Sequence, residues 1–224
     1  ANGNATITVR HGESITLTAE STTEGYHFAN WEDNSTTTPR TITFNGSNYE
    51  DGQDFTYTAN FGINTHTVSV SAGEHGSINS VSYVRGGNTV SVTDDNADGV
   101  YSYTAEYGDV LTITTTPATG YHIVSWTETI GTGTATTNTT TENSKTVTFS
   151  GENFTYATET TFNYVANFGI NVYDVVVNAG ANGKVTISHP TTNDAGERTT
   201  TTTEVSANGN ATITVRHGES ITLT

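Results

Sequence analysis

The chain has no cysteine among its 224 residues, so neither a disulfide framework nor a thiolate metal site is available to it. Leucine occurs only at Leu17, Leu111 and Leu223, and good helix formers are scarce beside threonine, valine and isoleucine, which excludes a helical protein. Basic residues are also few: 7 Lys and Arg stand against 23 Asp and Glu, a formal charge of −16. That balance argues against a nucleic-acid backbone or an anionic membrane as partner. No apolar run approaches the roughly 20 residues of a membrane-spanning helix. Charged residues make up 13% and hydrophobic residues 32%, both low for a globular enzyme. Low hydrophobicity with net charge can signal disorder. Here 22 Gly, 11 Tyr, 8 Phe and 2 Trp fall in regular patterns, and the pattern favours a folded β protein.

Repetition is the dominant feature. Residues 1–18, ANGNATITVRHGESITLT, recur letter for letter at 207–224, a period of 206 residues. A weaker repeat lies inside that period. Ala59-Asn60-Phe61-Gly62-Ile63-Asn64 returns at 166–171, Gly25-Tyr26-His27-Phe28-Ala29-Asn30-Trp31 is matched at 120–126, and Thr41–Gly46 is matched at 146–151. Ala72–Gly76 is matched at 179–183. The matches divide the chain into residues 1–65, the later part of a unit begun in the preceding period; 66–172, a complete unit of 107 residues; and 173–224, the start of another, with 207–224 duplicating 1–18. The expectation is a window on a longer tandem array. A subunit whose open ends pair with neighbours is the other way to read the same pattern.

Alternation at period two predicts strands at Ala5–Val9, Ser14–Thr18, Thr67–Ser71, Val110–Thr114 and Asp174–Val177, with Ile7 and Val9 inward and threonines outward. His11-Gly12-Glu13 and Tyr107-Gly108-Asp109 read as hairpin turns. Each Trp lies five positions after its Tyr, which on a regular strand puts the two on opposite faces, so a bulge is expected between them. The expected fold is all-β: tandem small antiparallel domains, β-grasp-like or sandwich-like, without substantial helix. The expected cores are centred on Tyr26, Phe28, Trp31, Phe44 and Phe61 in one unit and Tyr121, Ile123, Trp126, Phe149 and Phe168 in the other.

The ordered set of a first strand with a Gly pair (Val68 to Gly76), a Gly-polar strand (Gly12 to Leu17; Gly108 to Ile113), the aromatic strand (Gly25 to Trp31; Gly120 to Trp126) and an A-N-F ending (Ala59 to Phe61; Ala166 to Phe168) resembles the divergent internalin-B-type repeat family, related to the Listeria–Bacteroides repeats. The resemblance implies a secreted or surface-anchored protein, extracellular or on the cell surface, whose repeats serve as stalks or spacers in adhesins and fibres. It implies no catalytic residues and no cofactor, and the chain is expected not to be an enzyme.

One stretch has a cation-binding pattern. Asp94, Asn96 and Asp98 alternate ahead of Gly99, the first half of a calcium loop, with the carbonyl of Val100 as a further ligand. Ala105 stands where the bidentate acid belongs, and an acidic solvated turn explains the same residues. Asn4, Asn34, Asn45, Asn138, Asn153 and Asn210 begin N-x-[ST] triplets, and the Thr runs 132–141 and 199–203 suit O-linked glycans or polar edge strands. No phosphate loop, nucleophile elbow or His pair is found. Lys145 and Lys184 are the only lysines, and spacing selects no isopeptide partner for either. The expected function is a structural repeat segment of an extracellular filament or adhesin stalk, packed end to end with neighbouring copies of itself. The alternatives are a glycan-binding module, with Tyr49, Tyr83, Tyr101, Tyr103 and Tyr156 as stacking rings, or a pilin-like subunit joined by strand addition.

Overall fold

β-branched residues in alternation form strands along most of the chain, shown here in a computed structural model that describes residues 3–47, 49–155, 160–192 and 197–224. The helical element among the described residues is a single 3-10 turn, Gly151–Phe154. The first part of the chain holds β1 (Ser14–Leu17), β2 (Tyr26–Trp31), β3 (Arg40–Thr43) and β4 (Ala59–Ile63). The middle of the chain holds β5 (Thr65–Ala72), β6 (Gly76–Arg85), β7 (Asn88–Val92), β8 (Tyr101–Glu106), β9 (Val110–Pro117), β10 (Tyr121–Ile130), β11 (Thr136–Thr139), β12 (Ser144–Thr148) and β13 (Thr161–Ile170). After it come β14 (Val172–Asn178), β15 (Val185–Thr192), β16 (Arg198–Val205), β17 (Asn210–Arg216) and β18 (Thr222–Leu223).

The middle strands make two sheets, five-stranded in the order β11-β10-β13-β5-β8 and four-stranded in the order β12-β9-β6-β7. Alternate residues of both turn inward and share one core: Val68 and Val70 from β5, Leu111 and Ile113 from β9, Ile123 and Trp126 from β10. The register of β10 against β13 slips between Ile123 and Ser125, and that of β2 against β4 between Phe28 and Asn30. The bulge expected between each Tyr and its Trp is therefore there, and in the middle unit it lets Ile123 and Trp126 both be buried.

Among the described residues every strand pair is antiparallel except one. β5 and β13, the first and last strands of the unit, run parallel, with Thr67 opposite Thr161 and Ala72 opposite Ala166. Parallel strands starting at the same level bring the chain in at one end of the sheet and out at the other. The ten residues of β13 at about 3.3 Å each carry it roughly 33 Å.

The flanking strands are partial copies of this plan. β1 pairs β3 and β2 pairs β4 in the registers of β9 with β12 and β10 with β13. β14 pairs β17 as β5 pairs β8, and β15 lies between β16 and β18. The second core joins Val177, Ile187, Val205, Ile213 and Val215.

Two expectations need correction. Ala5–Val9 forms no strand, and Ile7 is 61% exposed. The identical residues 211–215 lie within β17, where Ile213 is 6% exposed. The strand forms where β14 is present to pair with it. Likewise Tyr26 and Phe61, expected in a core, are each 44% exposed. Their counterparts are covered by the β5–β6 turn: His75 stacks on Tyr121 at 4.1 Å, and Phe168 lies against Gly76. The strands around Tyr26 and Phe61 bring no such turn to them among the described residues.

Candidate functional site at the unit junctions

Unit meets unit at one asparagine. β4 passes through Asn64 into β5, and β13 passes through Asn171 into β14. The Asn64 amide N–H donates to the Gly25 carbonyl at 2.7 Å, and its own carbonyl accepts the Tyr107 N–H at 3.0 Å. The second junction repeats this: Asn171 N–H donates to Gly120 O at 2.8 Å, and His217 N–H donates to Asn171 O at 2.8 Å. Side chains lock the corner. His27 Nδ1–H donates to Asn64 Oδ1 at 3.0 Å, and His122 Nδ1–H donates to Asn171 Oδ1 at 2.8 Å. Asn64 Nδ2 reaches the carbonyl of Phe154 at 3.3 Å. The two recurring histidines are parts of the joint.

Both glycines that open the aromatic strands are steric requirements. A Cβ built on Gly25 falls 2.2 Å from the Tyr107 ring, and one on Gly120 falls 2.2 Å from the His217 ring. Both have positive φ, +79° and +82°. The turn of one unit thus seats an aromatic ring on a glycine of the unit before it.

The acid closing each turn is the part sequence reasoning missed. Asp109, 1% exposed, accepts Arg85 Nε at 2.9 Å, Arg85 Nη2 at 2.6 Å and the Glu106 N–H at 2.9 Å. At the duplicated turn Glu219 takes Arg198 and the Arg216 N–H. Asp and Glu after Gly in a turn were visible, but not the Arg that reaches them from another hairpin. A ring trio was also missed: Phe149, Phe154 and Phe162 lie 5.2–5.6 Å apart, and Phe44, Tyr49 and Phe55 repeat it at 5.0–5.8 Å. Of these only Phe44 and Phe149 were expected. The predicted core residues Trp31, Phe44, Ile123, Trp126 and Phe149 are buried, while Phe28, Tyr121 and Phe168 are half-buried.

Titration follows these contacts. Hydrogen bonds from Arg198 and from the Arg216 amide hold the Glu219 carboxyl below its ordinary value, and Arg40 with the Ser35 amide does the same for Asp33. Carboxyls lowered on folding contribute stability above the unfolded carboxylate range and lose it as pH falls through their folded values. Burial raises Tyr103 and Tyr164, so their contribution is complete below the unfolded tyrosine value near 10 and declines above it. Thermal melts from pH 2 to 12 are expected to show a plateau between these limits, with Glu219→Gln flattening part of the acid limb.

The other predicted sites stay apart. In the acidic loop Asp94 accepts the N–H groups of Asp98 and Gly99 through both oxygens, and Asp98 accepts that of Val100. The carboxylates close the turn on its own amides, and Asn96 adds an exposed side chain. Among the described residues no three His, Asp or Glu side chains are grouped to hold a metal ion. Asn4, Asn34, Asn45, Asn138 and Asn210 are exposed; the side chain of Asn153 lies outside the described residues. Thr136–Thr139 is the edge strand β11, and Thr199–Thr203 lies in β16. Tyr83 and Tyr103 stack on each other at 4.5 Å with Arg85 over Tyr83, and Tyr49 packs in its trio. Tyr156 lies outside the described residues. Lys145 pairs with Glu128 and Lys184 with Glu204, and Asp33 with Arg40 repeats the first pair.

A β unit entered and left at opposite ends, with a joint built twice on the same residue types, defines a tandem-repeat domain. A family model described as the divergent InlB B-repeat domain matches residues 1–65 and 95–158, more than half of the chain, which belongs to that family. The match leaves out Val68–Gly76, which the sequence reading took as the first part of the pattern. No curated protein and no solved structure matches the chain. Repeats of this type occur in bacterial surface proteins.

Proposed function

We propose that the chain is a structural segment of an extracellular fibre or adhesin stalk, a spacer rather than a catalyst. The observation that carries this reading is the parallel pairing of β5 with β13, which makes each unit a step along an axis. The repeated joint supports it: Asn64 and Asn171 fix successive units through the same hydrogen bonds, so that orientation is passed along the chain. Negative charge and exposed threonine faces such as β11 keep neighbouring fibres from pairing edge to edge. Antibodies raised against residues 66–172 are expected to label intact cells of the source organism. Label that appears only after permeabilisation contradicts the reading.

A second reading is a subunit joined to its neighbours by strand addition without covalent linkage. The native chain on a denaturing gel separates the two. Many 206-residue periods mean a covalent array, and a single 23.7 kDa band means a subunit.

A further inference from the structure

We propose that Lys145 and Asn138 of the middle unit are an isopeptide pair: the Lys145 amine displaces ammonia from the Asn138 carboxamide, with Glu128 carrying the proton between them. Spacing selects no partner for this lysine, but the fold does. Lys145 Nζ–H donates to Glu128 Oε1 at 2.5 Å, and Asn138 Nδ2–H donates to the same oxygen at 3.0 Å. Nucleophile and leaving group thus sit on one carboxylate oxygen. The three side chains come from three strands of two sheets. Glu128 is on β10 and Asn138 on β11, the edge of the five-stranded sheet, while Lys145 is on β12, the edge of the four-stranded one. Register puts all three on the faces between the sheets. Asn138 lies opposite Trp126, Glu128 opposite Tyr164 and Lys145 opposite Ile113, and each of those partners belongs to the core.

The Lys145 and Glu128 side chains are 16% and 29% exposed, and Nζ lies 5.7 Å from the centre of the Tyr164 ring. The folded chain therefore holds amine beside amide in a partly shielded place, where proximity favours a reaction that free side chains do not undergo. Glu128 takes one proton from the Lys145 ammonium, and the Nζ lone pair attacks Asn138 Cγ. Glu128 returns that proton to Nδ2, and the Cγ–Nδ2 bond breaks with its electron pair on nitrogen. The second proton lost by Nζ leaves on the ammonia, so the products are the Lys145–Asn138 amide and one ammonium ion. The bond ties β11 to β12 and closes that side of the sandwich covalently. The other acid–base pairs lack one part or another of this arrangement. At the aligned positions of the first part of the chain Arg40 meets Asp33 at 2.6 Å, and a guanidinium that stays protonated is no nucleophile. Lys184 and Glu204 pair with side chains 64% and 51% exposed. The charge pair recurs, but the shielded amine beside an amide belongs to the middle unit among the described residues.

Mass spectrometry of the full chain, followed from purification through prolonged incubation in the folded state, tests this. The expected mass is about 17 Da below that of the sequence, one ammonia lost. Cleavage after glutamate separates 129–142, in which Asn138 is the only Asn, from 143–152, in which Lys145 is the only Lys, and the two peptides are expected to stay joined. Lys145→Arg, which copies the Arg40–Asp33 pair and keeps the charge, is expected to hold the sequence mass with unchanged circular dichroism, and so is Asn138→Ala. Glu128→Gln is expected to form the link at least about 100-fold more slowly. A folded chain that keeps its sequence mass overturns the proposal. So does a 17 Da loss that persists in Lys145→Arg, which would be cyclisation of an asparagine on its own backbone, or a Glu128→Gln chain that links as fast as the original. Surface labelling of cells is unaffected by any of these outcomes, so failure here is distinct from failure of the spacer reading.

Discussion

Replacing Asp109 with alanine is expected to cost the middle unit about 3–5 kcal/mol. The carboxylate is buried, and removing it leaves Arg85 with Glu106 and the Thr104 carbonyl as its remaining partners. The N–H of Glu106 loses its acceptor as well. For a domain whose whole stability is on the order of 5–15 kcal/mol, that loss leaves a substantial unfolded fraction on warming. Chemical denaturation followed by tryptophan fluorescence measures it, since Trp126 is in the same core. Asp109→Asn keeps one acceptor for Arg85 and the Glu106 amide and is expected to recover part of the loss. A change under about 1 kcal/mol for Asp109→Ala, the level of an exposed ion pair, would mean that the pair contributes only as surface charges do.

Gly25→Ala is expected to open the first joint. The backbone at φ +79° costs a side chain about 1–2 kcal/mol, and the collision with Tyr107 adds about 1–3 kcal/mol because ring and strand must move apart. Both costs fall on the contact between units and leave the middle core in place. The variant should therefore keep its strand content while cleavage by a broad-specificity protease around residues 63–66 accelerates severalfold. Gly12→Ala is the control: φ is +90° but nothing lies within 4 Å of the new Cβ, so backbone strain is the only cost. If the two variants are cleaved alike, the ring-on-glycine seat is not what holds the joint.

Much of this architecture is readable from residues. Alternation marks β9, β14 and β17, and the five-residue spacing of Tyr121 and Trp126 demands the bulge that β10 contains. Two-residue alternation says which face of a strand is buried without saying what buries it. That is why Ala5–Val9 reads as a strand and is not one, while the same letters at 211–215 are. The parallel pairing of β5 with β13 joins residues about ninety positions apart, and no local signal announces it. The joints were half legible. Gly25, His27 and Asn64 recur visibly, but their convergence depends on Tyr107 arriving from the following unit. Arg85 reaching Asp109 and Phe154 closing the ring trio are likewise products of tertiary packing.

The axial step is the centre of the account, and small-angle X-ray scattering on chains of one, two and three 206-residue periods tests it most directly. Two units of roughly 33 Å per period predict a maximum dimension that grows by about 65 Å with each period added, at constant cross-section. Growth that falls off toward the square root of the number of periods, as for units on free joints, would contradict a fixed joint at Asn64 and Asn171.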